Sequence, residues 1–375
     1  MPALRVLAQT TVPANAGPAP ARPAPAAAAS PGDLVPTQRQ TFGIGRVKVA
    51  VLLETLSPAF GKATAAVMAG IRSAHARDGQ GIMLEFIPIS ERGEELEEAL
   101  REFSERGFAM AIGPLTRNGV NLLTEKGELP LPMLALNQPD ADRHPPNNLI
   151  VFSLAIESEG RQVARAAYDD AAQRVPGRRP LRALAISNGT PLAKRGLAAF
   201  SDAWRELGGA LVDPIETESR NPVEIKSLLA RSSCDLTFAA VGTESLRAIR
   251  VALPREIPVY GTSQLNAVMP GAINRNTDLD GVRLVDMPWQ VLPDHVAVMS
   301  YPKAVAFGHL DFQRLYALGI DAFRITRELL QHRSRFEIDG VTGRLKIDLA
   351  ADVRVDRTSV LAEFRNGVVV PLEPR

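Results

Sequence analysis

From Arg46 onward the chain alternates short, β-branched-rich apolar runs with longer amphipathic stretches. A strand covered by helices on both faces reads as a continuous apolar run, so this alternation restricts the chain to repeated β-α-β units around parallel sheets. The expected class is α/β.

Val47, Val49, Val51 and Leu53 belong to a first buried strand, and Ser57-Pro58 opens a loop into the Ala-rich stretch 63–76. Ile82 to Ile89 is the next strand; Leu96, Leu100 and Phe103 then recur at helical spacing, with Glu94, Glu95, Glu97 and Glu98 near the end that favours negative charge. Phe108 to Ile112 runs into Gly113-Pro114-Leu115-Thr116, and Pro132 to Leu136 and Leu149 to Leu154 extend the sheet. A second series follows: a helix over 158–173, the strand Leu181 to Ser187, the turn Asn188-Gly189-Thr190, and a helix carrying Leu197, Phe200, Trp204 and Leu207. The strand Leu236 to Val241, the turn Gly242-Thr243 and the stripe Leu246, Ile249 and Leu253 repeat that pattern. The end of the chain changes character. A long helix near 311–331 precedes two hairpin signals, Asp339-Gly340-Val341-Thr342-Gly343 and Asn366-Gly367, the latter a dipeptide suited to two consecutive positive φ angles.

Residues 13–32 hold nine Ala and six Pro in twenty, with Arg22 as the only charge. So few large apolar groups do not offset ordering entropy, and residues 1–45 are expected to form a disordered tail or linker. In extended polyproline geometry, at about 3.1 Å per residue, that stretch reaches roughly 60 Å, a length suited to a surface tether. The start Met1-Pro-Ala-Leu-Arg-Val-Leu-Ala8 holds one basic residue and only a fragment of an apolar core, which leaves two alternatives. Either the protein stays inside the cell, or the start is clipped or misplaced and a secretion signal with a lipid-accepting cysteine lies upstream, the alternative that the family resemblance given below favours.

The charge balance, 43 basic against 42 acidic side chains in 375 residues, leaves no basic stripe for a phosphate backbone and argues against a general nucleic-acid binder. No apolar run approaches the roughly 20 residues of a membrane-crossing helix. Cys234, alone of its kind, forms neither an internal disulfide nor a cysteine-based zinc site and reads as a structural side chain. His75, His144, His295, His309 and His332 are dispersed without metal-ligand spacing, so no metal and no cofactor is expected. Gly43-Ile-Gly45 lacks the third glycine of a dinucleotide fingerprint and precedes its strand, and no phosphate loop or nucleophile elbow occurs. With no nucleophile–base pair visible, the chain is not expected to be an enzyme.

Loops at strand ends carry small polar groups: Ser57, Pro58, Gly113, Pro114, Thr116, Asn137, Asn188, Gly189, Thr190, Gly242 and Thr243. These residues suit a cleft for an uncharged or zwitterionic small molecule, and equally serve as turn chemistry.

The opening series Val47–Glu54, with Leu56-Ser57-Pro58-Ala59-Phe60-Gly61 and Gly113-Pro114-Leu115, resembles the first lobe of the type I periplasmic-binding-protein fold. Pro258-Val-Tyr-Gly-Thr-Ser263, Asp280-Gly281-Val282, Met287-Pro288-Trp289, Leu315–Ala322 and Gly340–Leu345 resemble the LppC/LpoA family of penicillin-binding-protein activator lipoproteins. That resemblance runs over roughly residues 46–372. It implies two lobes, each a mainly parallel sheet flanked by helices, with closing β-hairpins: lobe I from 46–153 and 262–330, lobe II from 154–261 and 331–375. It also implies an outer-membrane lipoprotein of the periplasm, a monomer, that stimulates a class A penicillin-binding protein in peptidoglycan synthesis without catalysing it. Longer members carry a helical-repeat domain where this chain has its Pro/Ala stretch. Trp289 is a candidate anchor for that partner, or a core aromatic between the lobes. The competing function is that of a solute-binding protein closing on an amino acid or similar molecule for a transporter.

Overall fold

The computed structural model describes residues 37–372, except 91, 93, 219, 221, 268–275, 305 and 306. The Pro/Ala stretch 13–32 lies outside the described residues. Two sheets organise the rest, each the centre of one lobe.

The sheet of lobe I joins β1 (Gln40–Phe42), β3 (Gly81–Pro88), β2 (Gly45–Leu53), β4 (Met110–Ile112), β5 (Met133–Ala135), β6 (Leu149–Val151), β14 (Asp352–Thr358), β13 (Arg344–Asp348) and β12 (Arg335–Asp339), in that order. Its parallel centre runs from β3 through β6 to β14, and the outer pairings, β1 with β3 on one side and β14–β13–β12 on the other, are antiparallel. Strand β2 shows why the apolar run is continuous. Val49, Val51 and Leu53 point into a core with α1 (Gly61–Asp78) and α10 (Leu310–Leu330), whereas Ala50 and Leu52 point into a second core with α2 (Glu94–Glu105) and α3 (Arg117–Thr124). Alternate side chains therefore serve opposite faces, and both faces are apolar.

The sheet of lobe II joins β16 (Val368–Pro371), β15 (Val360–Arg365), β11 (Arg283–Asp286), β10 (Val259–Gly261), β9 (Leu236–Ala240), β7 (Arg182–Ser187) and β8 (Ala210–Glu216), in that order. Phe238 and Ala183 face α4 (Ile156–Arg174) and α5 (Pro191–Glu206), where Phe200 stacks on Phe238 with ring centroids 4.0 Å apart. Leu184, Ile186 and Ala239 face α6 (Pro222–Arg231) and α7 (Thr243–Arg250).

The chain crosses between lobes three times: between β6 and α4, between β11 and the short helix α8 (Pro288–Val291), and at Ser359 between β14 and β15. These crossings correct the expected division. Arg283–Asp286, assigned to lobe I, is a parallel strand of lobe II, and Arg335–Thr358, assigned to lobe II, extends the sheet of lobe I. A hairpin signal fixes antiparallel pairing between neighbours but leaves open which sheet edge receives the pair. The expected tail also ends too late, because Gln40–Phe42 pairs with β3 as an edge strand of lobe I. The two-lobed α/β architecture and the terminal hairpins are as expected; Asn366 and Gly367 turn between β15 and β16 with φ of 51° and 75°.

Candidate functional site: the facing strand ends and the crossings between lobes

On lobe I, Glu54 ends β2 as a buried carboxylate. It accepts hydrogen bonds from the backbone N–H of Leu115 (3.1 Å) and Thr116 (2.9 Å) and from Thr116 Oγ1 (2.7 Å). Thr116 Oγ1 also caps α3 by accepting from Gly119 N at 3.1 Å. Asn137 Nδ2 donates to the Leu115 carbonyl at 3.0 Å, drawing the loop after β5 into the same group. Gly113 is held at φ +108°, with a hypothetical Cβ only 1.9 Å from the Leu52 carbonyl oxygen, so backbone crowding and backbone conformation both require glycine there. Pro114 packs against Gly119, Ser57 is buried, and Pro58 is exposed beside it. The structure therefore gathers Gly113, Pro114, Thr116 and Asn137 around Glu54, a residue the loop chemistry did not single out.

On lobe II the turns satisfy themselves. Asn188 Oδ1 accepts from Thr190 Oγ1 at 2.9 Å, Gly189 N donates to Ser187 Oγ at 3.1 Å, and Thr190 caps α5. Gly242 stands at the N-cap of α7, and Thr243 Oγ1 donates to the Leu265 carbonyl at 2.8 Å. Each of these hydroxyls already has a partner within its own lobe.

An ion triad joins the two sides. Glu157, in the first turn of α4, lies 3.6 Å from Arg117 at the start of α3 and 3.3 Å from Arg195 on α5. Arg117 stands beside Thr116, and Arg195 lies in the helix that Thr190 caps, so a carboxylate of the protein sits between arginines of opposite lobes. Sequence reasoning missed all three residues, because pairs separated by roughly 40 positions leave no periodic signature.

The crossings are polar and buried. Arg314 of α10 pairs with the fully buried Asp286 at 2.8 Å and donates to the carbonyls of Ser263 (3.1 Å) and Asn266 (2.9 Å). Burial pulls the Arg314 guanidinium down, yet adjacent Asp286 more than offsets this and raises its pKa, so the side chain remains charged. Glu159 of α4 accepts from Ser263 N at 3.0 Å and from Arg357 of β14 at 3.2 Å. Gln162 brackets Ser359 at the third crossing, donating to its carbonyl (2.7 Å) and accepting from its N–H (2.9 Å). Isolated charges so deeply placed would be costly; paired and multiply hydrogen-bonded, they fix the geometry where the lobes meet.

Trp289 takes the core alternative rather than that of an anchor. It is 5% exposed and packs against Tyr316 with centroids 5.3 Å apart, because the chain passes beneath α10 on its return from lobe II. Cys234 is half-buried and its thiol pKa is raised by burial and by neighbouring Asp235, the environment of an inert thiol. Among the described residues no group of three or more His, Cys, Asp or Glu side chains is arranged to hold a metal, and no helix is long and apolar enough to cross a membrane.

Curated proteins named penicillin-binding protein activator LpoA match across this frame. The one from Pantoea ananatis is 25% identical over 325 residues, covering 74% of this chain and 46% of that protein; the one from Escherichia coli O6:H1 is 25% identical over 323 residues, covering 74% and 46%. The chain thus spans about half the length of the curated relatives it matches. Among solved structures, the C-domain of Haemophilus influenzae LpoA, described as a regulator of PBP1A, superposes with TM-score 0.70 at 19% identity, covering 87% of this chain and all of that one. A Chromobacterium violaceum structure described as a "putative branched-chain amino acid ABC transporter" superposes with TM-score 0.70 at 31% identity, covering 85% of this chain and all of that one. The family profile described as "LppC putative lipoprotein" matches residues 19–230 and 216–367, and the chain belongs to that family.

Proposed function

We propose that this chain is a non-catalytic regulator that docks on a class A penicillin-binding protein and stimulates peptidoglycan cross-linking. The observation that carries the reading is the match, across both lobes, to curated relatives named as activators of such proteins. The strand-end loops support it: Thr116, Thr190 and Thr243 serve the backbone and Glu157 occupies the space between Arg117 and Arg195, which fits a docking body better than a reaction vessel. Stimulation by docking requires tighter binding to the synthase's active conformation than to its resting one. The setting that goes with this role is the periplasm, with a lipid anchor in the outer membrane and the Pro/Ala stretch as tether.

The test is a purified class A penicillin-binding protein assayed for cross-linked product with and without this chain. Product formation rises at saturating chain under this reading; an unchanged rate contradicts it.

The second reading, a solute-binding protein, is favoured by the Chromobacterium violaceum structure and its description. It requires the strand-end loops to offer free hydrogen-bonding groups to an amino acid, and most of these already bond to their own lobe.

A further inference from the structure

We propose that a groove on the outer face of lobe I, laid over α1, binds an acidic segment of the partner synthase with apolar residues flanking its carboxylate. The inference rests on the reading of the chain as a synthase regulator and assigns the surface that reading leaves open.

The groove encloses about 790 Å³ between the β1–β2 turn (Phe42, Gly43) and the segment Ser300–Pro302, with Tyr316 at its floor. The chain segments that form it also carry exposed apolar residues just outside the lining: Ile44, which follows Gly43, is 96% exposed, and Met299, which precedes Ser300, is 61% exposed. A mostly apolar trough with exposed apolar residues in the adjoining segments marks an interaction surface.

Charge specifies the occupant. The lining contains Arg72, His75 and Arg77 and no Asp or Glu. Arg77 is engaged, 3.5 Å from Asp78 and donating to the Ser300 carbonyl at 3.2 Å. Arg72 differs. Among the described residues it has neither an ion pair nor a hydrogen bond, and its guanidinium lies 4.0 Å from the centroid of the Phe42 ring, which in turn meets Phe86 edge-on at 5.3 Å. Burial lowers its pKa without a carboxylate to restore it. The Phe42 ring face steadies the Arg72 guanidinium by a cation–π contact while its N–H donors stay unspent, and a guanidinium with free donors binds a carboxylate through two parallel hydrogen bonds. A carboxylate there gains a cation already partly removed from water, and apolar side chains beside it cover the half-buried Phe42 and Ala69.

The experiment measures the dissociation constant of the chain for a purified class A penicillin-binding protein. Arg72→Glu reverses the charge in the groove, and Ala76→Glu, on the exposed face of α1 one turn away, supplies an internal carboxylate to Arg72 without touching the core. Both variants weaken binding tenfold or more, while Arg205→Glu on the exposed face of α5 changes it less than twofold. Wild-type binding that neither groove variant affects overturns the groove assignment and leaves the regulatory reading standing. Absence of wild-type binding overturns both. Loss of self-association by Arg72→Glu in sedimentation, with synthase binding intact, assigns the groove to a second copy and likewise overturns the inference.

Discussion

The two lobes use one device, a helix pair brought together by facing glycines, and assemble it from different parts of the chain. In lobe I, α1 and α10 touch at Gly70 and Gly319, where a Cβ would lie 2.0 Å from the Tyr316 carbonyl oxygen and 2.1 Å from that of Val67. In lobe II the consecutive helices α4 and α5 meet at Gly160, whose Cβ would lie 2.5 Å from the Gly196 carbonyl oxygen. Lobe I therefore joins helices roughly 250 positions apart and closes only once the chain has left lobe II and returned, whereas lobe II closes with neighbours. Contacts so distant in sequence make a lobe slower to form and dependent on its crossings.

The largest effect expected follows from that dependence. Asp286→Ala strips Arg314 of its buried counter-charge at the second crossing, leaving only the exposed Asp311 at 2.9 Å to pair with the guanidinium, and is expected to cost about 3 kcal/mol, read from the urea midpoint. A loss under about 1 kcal/mol would show that Asp311 alone suffices to hold the guanidinium at this crossing.

Next comes the glycine pair. Gly70→Ala drives a methyl into a backbone carbonyl that cannot step aside and is expected to lose about 1–3 kcal/mol. Gly196→Ala meets first the Cγ1 of Ile156 at 3.2 Å, a movable side-chain atom. The gain of about 1 kcal/mol from replacing glycine within a helix offsets that crowding, so thermal unfolding of this variant matches the parent.

The facing loops offer a finer contrast. Glu54→Gln weakens the bonds to Leu115 and Thr116 and is expected to cost about 1–3 kcal/mol, with faster amide exchange confined to the loops of lobe I. Thr190→Ala removes one helix cap on lobe II and is expected to cost about 1 kcal/mol.

The smallest effect is at the edge of lobe I. Glu102 on α2 is held at about 2, below the ordinary 4.5, chiefly by the hydrogen bond from Arg39 and further by Arg106. A depressed carboxylate stabilises the folded state above its unfolded pKa, so this contribution is intact at neutral pH and disappears as pH falls from 4.5 towards 2. Because the pair is solvent-exposed, its worth is below about 1 kcal/mol. Glu102→Gln should lower neutral stability by that amount and flatten the acid limb of the stability curve, so that variant and parent converge as the pH falls towards 2.

How much of this was legible in sequence depended on range. The β2 run and the Asn366-Gly367 turn are local patterns, and the structure reproduces them. Lobe membership of Arg283–Asp286 and Arg335–Thr358 was not legible, since edge choice is decided by which sheet leaves a complementary row of donors and acceptors unpaired. The strand-end loops were identified as polar, but their organiser, Glu54, looked like one more residue closing an apolar run. Arg117, Glu157 and Arg195 meet only after both lobes fold, and Trp289 could be placed in the core only once α10 lay over it.

The central claim is that the strand-end side chains of Thr116, Asn137, Asn188, Thr190 and Thr243 already serve the protein itself, leaving the two-lobed frame to act as a docking body. The most direct measurement is calorimetric and thermal-shift titration of the chain with L-leucine to millimolar concentration. The account predicts no binding heat and an unmoved unfolding temperature. Saturable uptake of one leucine per chain, with a stabilisation that grows as RT ln(1 + [L]/Kd), would contradict it.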